Sequence, residues 1–496
     1  MKKIAYFFAV VVLFSVNASA DSPDWEVIGK SIQEKMKASH VSGLQMSYQT
    51  SDGVQRDFNF GSTDLSEKTP VTDDTRFYSA SLTKMFTAIS LFQLREKGLV
   101  SFDDKIVDHF VLLHKNASVQ MEEITIRQLM SHTSGMSRNG EQFWTDPELI
   151  SKGIAPTEEE VINAAIKQRF GVSPGVQLKY SNLGFEILGL LVGKLCDDCK
   201  GHTSQQRYAD YVKRHILIPL KMGKSGFNPS SKLQQKFAVP YKLADAQGNR
   251  EAFSLVKTPG ASVGAWGLYS TSKDMIKFIK ELGKLVSKEK SLLVSTDISA
   301  EIETAVLEDA LNSSFGHSLG FRLIKIVDGN KNVGYLIGHT GTFPGFSSAA
   351  FYNTLDKSSG VVYFNVVDGG GVGYLMLVAT PMSGITQLPG AAHLKLQEAQ
   401  DPLMENPYLG IVKKWDLIYG ATEVVYENNQ YFLVQSGQKI PLYLKLSEDK
   451  KSLDGYLGTN SGYLDWIGDS IHFSIDEAGN SDVGLVANSI LIRARK

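Results

Sequence analysis

Apolar and polar positions alternate in different rhythms along the chain. Residues 25–38 place apolar side chains at helical spacing and predict an amphipathic helix. Residues 43–60 alternate apolar and polar around Gly53, as a β-hairpin does. Residues 75–78 form a short extended lead into Ser81. Residues 85–94 are apolar nearly all round and predict a buried helix that stops near Gly98. Residues 100–330 mix helical and turn-rich segments, with a further helix expected over 183–195. Residues 334–338 and 360–365 predict strands, and 373–380 fit either a closing helix or a strand.

The character changes near residue 388. Pro389-Gly390 and Asp401-Pro402 punctuate an expected linker over 388–405. Short alternating runs follow at 422–426, 431–435, 440–446, 470–475 and 489–494. Turn residues such as Asn428-Asn429, Ser436-Gly437 and Ala478-Gly479-Asn480 separate them. This pattern predicts a small antiparallel barrel or sandwich over 406–496.

The first twenty residues have the layout of a signal peptide. Lys2 and Lys3 precede an apolar run over 4–16, and Ala18-Ser19-Ala20 supplies small residues for cleavage. The run is shorter than the roughly 20 residues that cross a bilayer, and no other stretch is long enough. The expectation is a periplasmic or secreted protein with no integral membrane segment after cleavage. The mature chain would comprise a large domain over 21–387, the linker, and the small β domain.

Composition adds exclusions. The chain has 496 residues, 43% of them hydrophobic and 21% charged, enough for a large globular core. A net charge of -2, with no Lys/Arg run and no basic-aromatic interleaving, argues against a nucleic-acid partner. The two cysteines lie in Cys196-Asp197-Asp198-Cys199. In an exported chain they suit a local disulfide. A redox motif would open a helix, whereas this pair follows a helical run. Zinc needs four ligands, and no histidine neighbours the pair.

The chemistry concentrates at Ser81-Leu82-Thr83-Lys84. Residues three apart share a helix face, so the Lys84 amine can reach the Ser81 hydroxyl. A serine hydroxyl needs an adjacent base, and lysine serves only if burial or a second cation lowers its pKa. The spacing recurs at Ser254/Lys257, Ser270/Lys273, Ser287/Lys290, Ser436/Lys439 and Ser447/Lys450. Only Ser81 lies between a strand-like lead and a buried helix. Tyr180-Ser181-Asn182 follows Pro174-Gly175 and precedes a helix; read locally, it is also a turn with an N-cap. His339-Thr340-Gly341 follows the strand at 334–338 and precedes a turn. Gly341 would let a substrate backbone approach, and the amides of Ser81 and Thr342 could form an oxyanion hole. Each such donor lowers a barrier by about 3 kcal/mol.

Ser-x-x-Lys, Tyr-x-Asn and His-x-Gly in this order resemble the penicillin-recognising serine hydrolases: class C β-lactamases, DD-peptidases, D-aminopeptidases and related esterases. Residues 125–136 (TIRQLMSHTSGM) and 264–271 (GAWGLYST) share the resemblance, which spans roughly 25–385. It implies an α+β fold, an antiparallel sheet flanked by helices beside a helical region, followed here by the small β-barrel domain. It implies Ser81 as nucleophile, Lys84 and Tyr180 sharing proton transfer, Asn182 orienting substrate, His339-Thr340-Gly341-Thr342 lining the substrate and oxyanion side, and Arg127 and His132 as structural. Related β-lactamases and carboxypeptidases carry lysine in the third motif. His339 is mostly neutral at pH 7, which shifts the expectation toward ester or D-residue peptide hydrolysis. A β-lactamase, a D-alanyl-D-alanine carboxypeptidase or a slow-turnover penicillin-binding protein is the alternative. No cofactor or metal is implied, and the expected partner is a small ester or peptide substrate, with a homo-oligomer compatible. Some relatives carry a lipocalin-like domain resembling residues 406–496. Its aromatics, including Trp415, Tyr419, Tyr431, Phe432, Tyr443 and Trp466, are expected to fill its core.

Overall fold

The computed structural model describes residues 24–387 apart from 140–154, 168–169, 171–172, 176–177, 242–249, 305, 308–314, 367–370 and 384–385; beyond 387 it describes the backbone of strand segments between 415 and 494. The expected signal peptide and the linker at 388–405 lie outside the described residues.

The hairpin forms as its alternation predicts. Gly43–Gln49 pairs antiparallel with Gln55–Gly61, with Met46 opposite Phe58. On its other side Gly43–Gln49 pairs with Ser359–Phe364, Met46 opposite Val362, which joins the start of the domain to its end. The sheet continues through Phe346–Asn353, Val333–Phe343 and Arg322–Val327, all antiparallel. The short strands Phe315–His317 and Val306–Leu307 complete that edge.

Successive strand residues point to opposite faces, and each face has its own core. Ile324, Ile326, Phe351, Val362 and Phe364 pack with Ile28, Ile32 and Met36 of the helix Trp25–Ala38 and with Tyr374 of the helix Gly371–Ser383. Leu323, Ile337, Ala350, Val361 and Tyr363 belong to the other core, with Met275, Phe278 and Ile279 of the helix Ser272–Val286. Phe278 stacks on Phe86 at 4.2 Å, which ties the sheet to the helical region.

Two sequence expectations are corrected here. His339-Thr340-Gly341 lies within a continuous strand, Val333–Phe343, rather than beyond its end. The centre of that strand is buried on both faces, so the alternation that marks a strand is lost there. For the same reason Phe346–Asn353, buried at every position and rich in Ser and Ala, carried no strand signal. The two strands meet at Pro344-Gly345, where Gly345 has φ 80°. Residues 373–380, ambiguous in the sequence, lie in the helix Gly371–Ser383.

The helices that carry the candidate chemistry are buried almost throughout: Thr83–Glu96 and Asn182–Leu195. Asn182–Leu195 packs on the short helix Val263–Trp266 through glycines; a Cβ on Gly189 would lie 2.6 Å from the Gly264 Cα. Among the described residues no helix is long and apolar enough to cross a membrane.

Beyond residue 415, strands from Trp415–Leu417 to Ile490–Ala494 pair antiparallel in chain order, and the last pairs back onto the first. The alternating runs of the sequence fall on these strands. Trp415–Leu417, Ser452–Leu457 and Val483–Val486 are additional to the expected ones.

The glycine contact predicts a stability difference. Gly189→Ala should destabilise the folded chain by about 1–3 kcal/mol through overpacking, read as a lower urea midpoint. Gly223→Ala, where a Cβ meets nothing within 4 Å, should stay within about 0.5 kcal/mol of the parent.

Candidate active site

The extended lead and the buried helix meet at Ser81. Phe77–Tyr78 pairs with Tyr269–Ser270, and the Ser79 amide donates to the Leu268 carbonyl at 2.8 Å. The chain then turns through the 3-10 segment Ala80–Leu82, with Ala80 held at φ 50°. An alanine in the left-handed region costs about 1–2 kcal/mol, so surrounding contacts must hold it. The Thr83 hydroxyl donates to the Ala80 carbonyl at 2.7 Å and accepts from the Leu268 amide at 3.1 Å. The Ser348 hydroxyl donates to the Ser79 carbonyl at 3.0 Å.

Gly341 packs closely on the turn before Ser81. A Cβ there would lie 2.5 Å from the Ser79 carbonyl oxygen and 2.4 Å from Ser348 Oγ. Its missing side chain makes room for the protein's own Ser79-Ala80 turn. The result is that Thr340, partly exposed, and Thr342, exposed, flank the point where the third-motif strand presses on the Ser81 turn.

Lys84 is completely buried. Its Nζ lies 3.1 Å from Ser81 Oγ, 2.8 Å from Asn182 Oδ1 and 2.9 Å from the Ala265 carbonyl. Burial pushes its pKa well below the ordinary lysine value; the Arg138 guanidinium adds to the effect and the buried Glu186 opposes it. A neutral amine has two N–H groups and one lone pair. Two of its neighbours are carbonyl oxygens that can only accept, so the two N–H groups go to them. The lone pair is left facing the one neighbour that can donate, the Ser81 hydroxyl. Asn182 is fixed for this purpose, because its Nδ2 donates to Asn139 Oδ1 at 2.8 Å and turns Oδ1 toward Lys84.

Tyr180 is buried beside this amine, with Lys84 Nζ 5.0 Å and the Arg138 guanidinium 4.9 Å from the ring centroid. The His132 ring stacks on it at 4.2 Å. Ser181, read as a possible cap, does cap the helix, accepting from the Gly184 amide at 3.0 Å; capping and the site coexist. His339 is buried, and its Nδ1 donates to the Thr340 carbonyl. Burial, then Arg322 and Lys84, hold its pKa well below the usual histidine value, so it is neutral. The structure thus brings Ser81, Lys84, Tyr180, Asn182 and the His339–Thr342 strand together.

Several residues were missed in the sequence. Arg322, from the neighbouring strand, donates to Thr340 Oγ1 at 2.9 Å and to His317 Nε2 at 3.3 Å. It supplies the cation that His339 does not, and nothing in its local sequence marks it. The Ala265 carbonyl lies in the recognised stretch at 264–271, and Asn139 lies just past the one at 125–136. Glu186 falls four residues after Asn182, one helical turn on, and was the only signal of its kind available. Arg127 is bonded to Asp103 at 2.9 Å. The competing Ser-x-x-Lys pairs separate from the site. Lys273 is bonded to Asp73 and lies 3.4 Å from Asp57, and the Ser287 hydroxyl bonds to that of Tyr352 at 2.8 Å. Ser436 and Ser447 lie outside the described residues.

Among the described residues, two groups offer metal-ligating atoms. Ring nitrogens of His132, His317 and His339 lie within 4.8 Å of one another. His132 Nδ1, however, accepts the Ser181 N–H at 3.1 Å, so a neutral ring carries its proton on Nε2. A metal there would require the imidazolate anion, and these three rings do not form a neutral three-imidazole ligand set. Cys196 and Cys199 are joined in a disulfide, as the sequence suggested, and offer no thiolate.

The family model Beta-lactamase matches residues 28–375. Protein flp of Staphylococcus aureus strain N315 is 24% identical over 346 residues, 68% of this chain and 62% of that protein. Beta-lactamase-like protein 4 of Dictyostelium discoideum is 32% identical over 258 residues, 51% of this chain and 44% of that protein. The chain therefore spans less than two thirds of the length of these curated relatives. Among solved structures, the octameric penicillin-binding protein homologue from Pyrococcus abyssi superposes with a TM-score of 0.58 at 21% identity, covering 95% of this chain and all of that one. D-amino acid amidase from Ochrobactrum anthropi SV3 superposes at 0.57 and 20% identity, covering 73% of this chain and 98% of that one. At such identities the superpositions speak for the fold. With the family match over most of the chain, this protein belongs to the β-lactamase family.

Proposed function

We propose that this protein forms an acyl-enzyme on Ser81 and hydrolyses esters or D-residue-containing amides and peptides. The observation that carries this reading is the amine of Lys84: buried, committed to two carbonyl acceptors, and turned toward Ser81 Oγ. As Oγ attacks the acyl carbon, its proton passes to Lys84 Nζ. The amides of Ser81 and Thr342 receive the charge that develops on the acyl oxygen. Tyr180 relays the proton to the leaving group, which departs as the alcohol or amine. Water then attacks the acyl-Ser81 ester, gives up a proton through the same pair, and releases the acid. Asn182 orients substrate while it holds Lys84.

Arg322 favours a second substrate reading. A guanidinium beside Thr340 provides a carboxylate partner on the third-motif strand, where His339 alone would not. A D-alanyl-D-alanine carboxypeptidase, a β-lactamase or a slow-turnover penicillin-binding protein would each use it. The fold shared with a D-amino acid amidase and a penicillin-binding protein homologue is compatible with both readings. The layout of residues 1–20 supports export to the periplasm or beyond, with 21–387 as the hydrolase domain and 388–405 as a linker. We further read residues 406–496 as a small lipocalin-like barrel, on the strand pairing that returns to its start, and a homo-oligomer as the assembly, by analogy with the octameric homologue.

Ser81→Ala should lower turnover by roughly a thousandfold or more on whichever substrate is cleaved: a short-chain nitrophenyl ester, a D-alanyl anilide, a D-Ala-D-Ala peptide or a chromogenic cephalosporin. Turnover that survives the substitution would refute the mechanism. Arg322→Ala should reduce kcat/KM for carboxylate-bearing members of that panel by about 10–100-fold, the value of a charge-assisted contact, and for the neutral ester by less than about threefold.

The pH profile tests the lysine. The free-base form of Lys84 is the active one, so kcat/KM rises with pH through its pKa. Glu186 holds that pKa up. Glu186→Gln should therefore move the acid limb to lower pH; a limb that stays in place or moves upward would show that Lys84 is not the titrating base.

A further inference from the structure

The structure assigns to His132 the positioning of Tyr180 for proton transfer, an inference that rests on the acyl-enzyme reading. Residues 178–181 belong to neither helix nor strand, so no ladder of backbone bonds fixes Tyr180. His132 holds the segment on both sides of Tyr180. The His132 carbonyl accepts the Lys179 N–H at 2.6 Å, and the His132 ring nitrogen Nδ1 accepts the Ser181 N–H at 3.1 Å. The two bonds take hold of the chain immediately before and after Tyr180. Between them the His132 ring lies on the Tyr180 ring, 4.2 Å apart and 27° from parallel.

The backbone of His132 bears this out. Its φ is 59°, a left-handed conformation that non-glycine residues adopt uncommonly. An outlier of this kind, fully buried and against a candidate proton-transfer group, points to function. The segment after it continues the grip: the Ser181 hydroxyl donates to the Ser137 carbonyl at 2.7 Å, and the Asn182 amide to the Arg138 carbonyl at 2.6 Å. The ring is also in the right protonation state. Burial is the main cause that holds its pKa well below the usual histidine value, and a protonated Nδ1 would set N–H against the Ser181 N–H. His132 touches no reacting atom in this arrangement. It acts through Tyr180, whose displacement by about 1 Å is enough to cost on the order of a hundredfold in rate.

Two substitutions separate positioning from bulk stability, and both tolerate positive φ. His132→Asn keeps a short side-chain acceptor for the Ser181 N–H and loses the stacked ring. His132→Gly loses both. Measured on the full chain with p-nitrophenyl acetate, kcat per acylated Ser81 should fall about 3–10-fold in the Asn variant and about 100-fold in the Gly variant. KM should stay within about threefold. A fluorophosphonate probe counts the Ser81 that can still be labelled, so loss of folded protein is divided out. Equal kcat per labelled Ser81 in wild type and both variants, with lower yield or melting temperature, would reduce His132 to a structural residue and overturn the inference alone. Wild-type protein with neither Ser81-dependent turnover nor labelling would overturn the acyl-enzyme reading and the inference with it.

Discussion

The ε-amine of Lys84 has no access to water, and much of the surrounding architecture serves to keep it there. A buried lysine gives up its proton more readily than it gives up its hydration. That exchange has to be stabilised by acceptors for the remaining N–H groups, and these come from two distant stretches, Asn182 and the Ala265 carbonyl. The helices that bear them are brought together by the Gly189–Gly264 contact, where no side chain stands between the backbones. Ser81 becomes the third neighbour because it lies one helical turn before Lys84, at the end of a turn strained at Ala80.

Charge around the amine is unbalanced. Beyond burial, Arg138 lowers the pKa of Lys84 and Glu186 is the carboxylate that opposes it, while Arg322 acts on His339. Burial first, and neighbouring cations after it, hold the pKa values of the three nearby histidines well below the usual value. The site therefore sets two guanidinium groups near a buried amine and buried imidazoles whose pKa values burial holds down. A lysine in place of His339 would add a titratable cation beside the base; Arg322 supplies charge from one strand away.

The sheet provides the rigidity. Its central strands feed alternate residues into two cores, so the strand that carries His339 to Thr342 is fixed from both faces. Because Gly341 has no side chain, that strand can press on the Ser79-Ala80 turn that leads into Ser81. The disulfide between Cys196 and Cys199 closes the far end of the helix that begins at Asn182.

The sequence by itself determined the local elements and the reactive spacing. The amphipathic helix, the first hairpin, the buried helix after Ser81 and the Ser81/Lys84 pairing all depend on residues a few positions apart, where period and side-chain type are sufficient. It also supplied the order of the motifs, and so the family. Tertiary structure decided what depends on neighbours hundreds of residues away. Strands buried on both faces, such as Phe346–Asn353, lose the alternation that would reveal them. Arg322 enters the site only because its strand pairs with the one that carries Gly338. The depressed pKa of Lys84, the grip of His132 on the Tyr180 segment and the crowding at Gly341 are all consequences of burial and close approach. A linear pattern records which side chains are present; desolvation and contact exist only once the chain has closed around them.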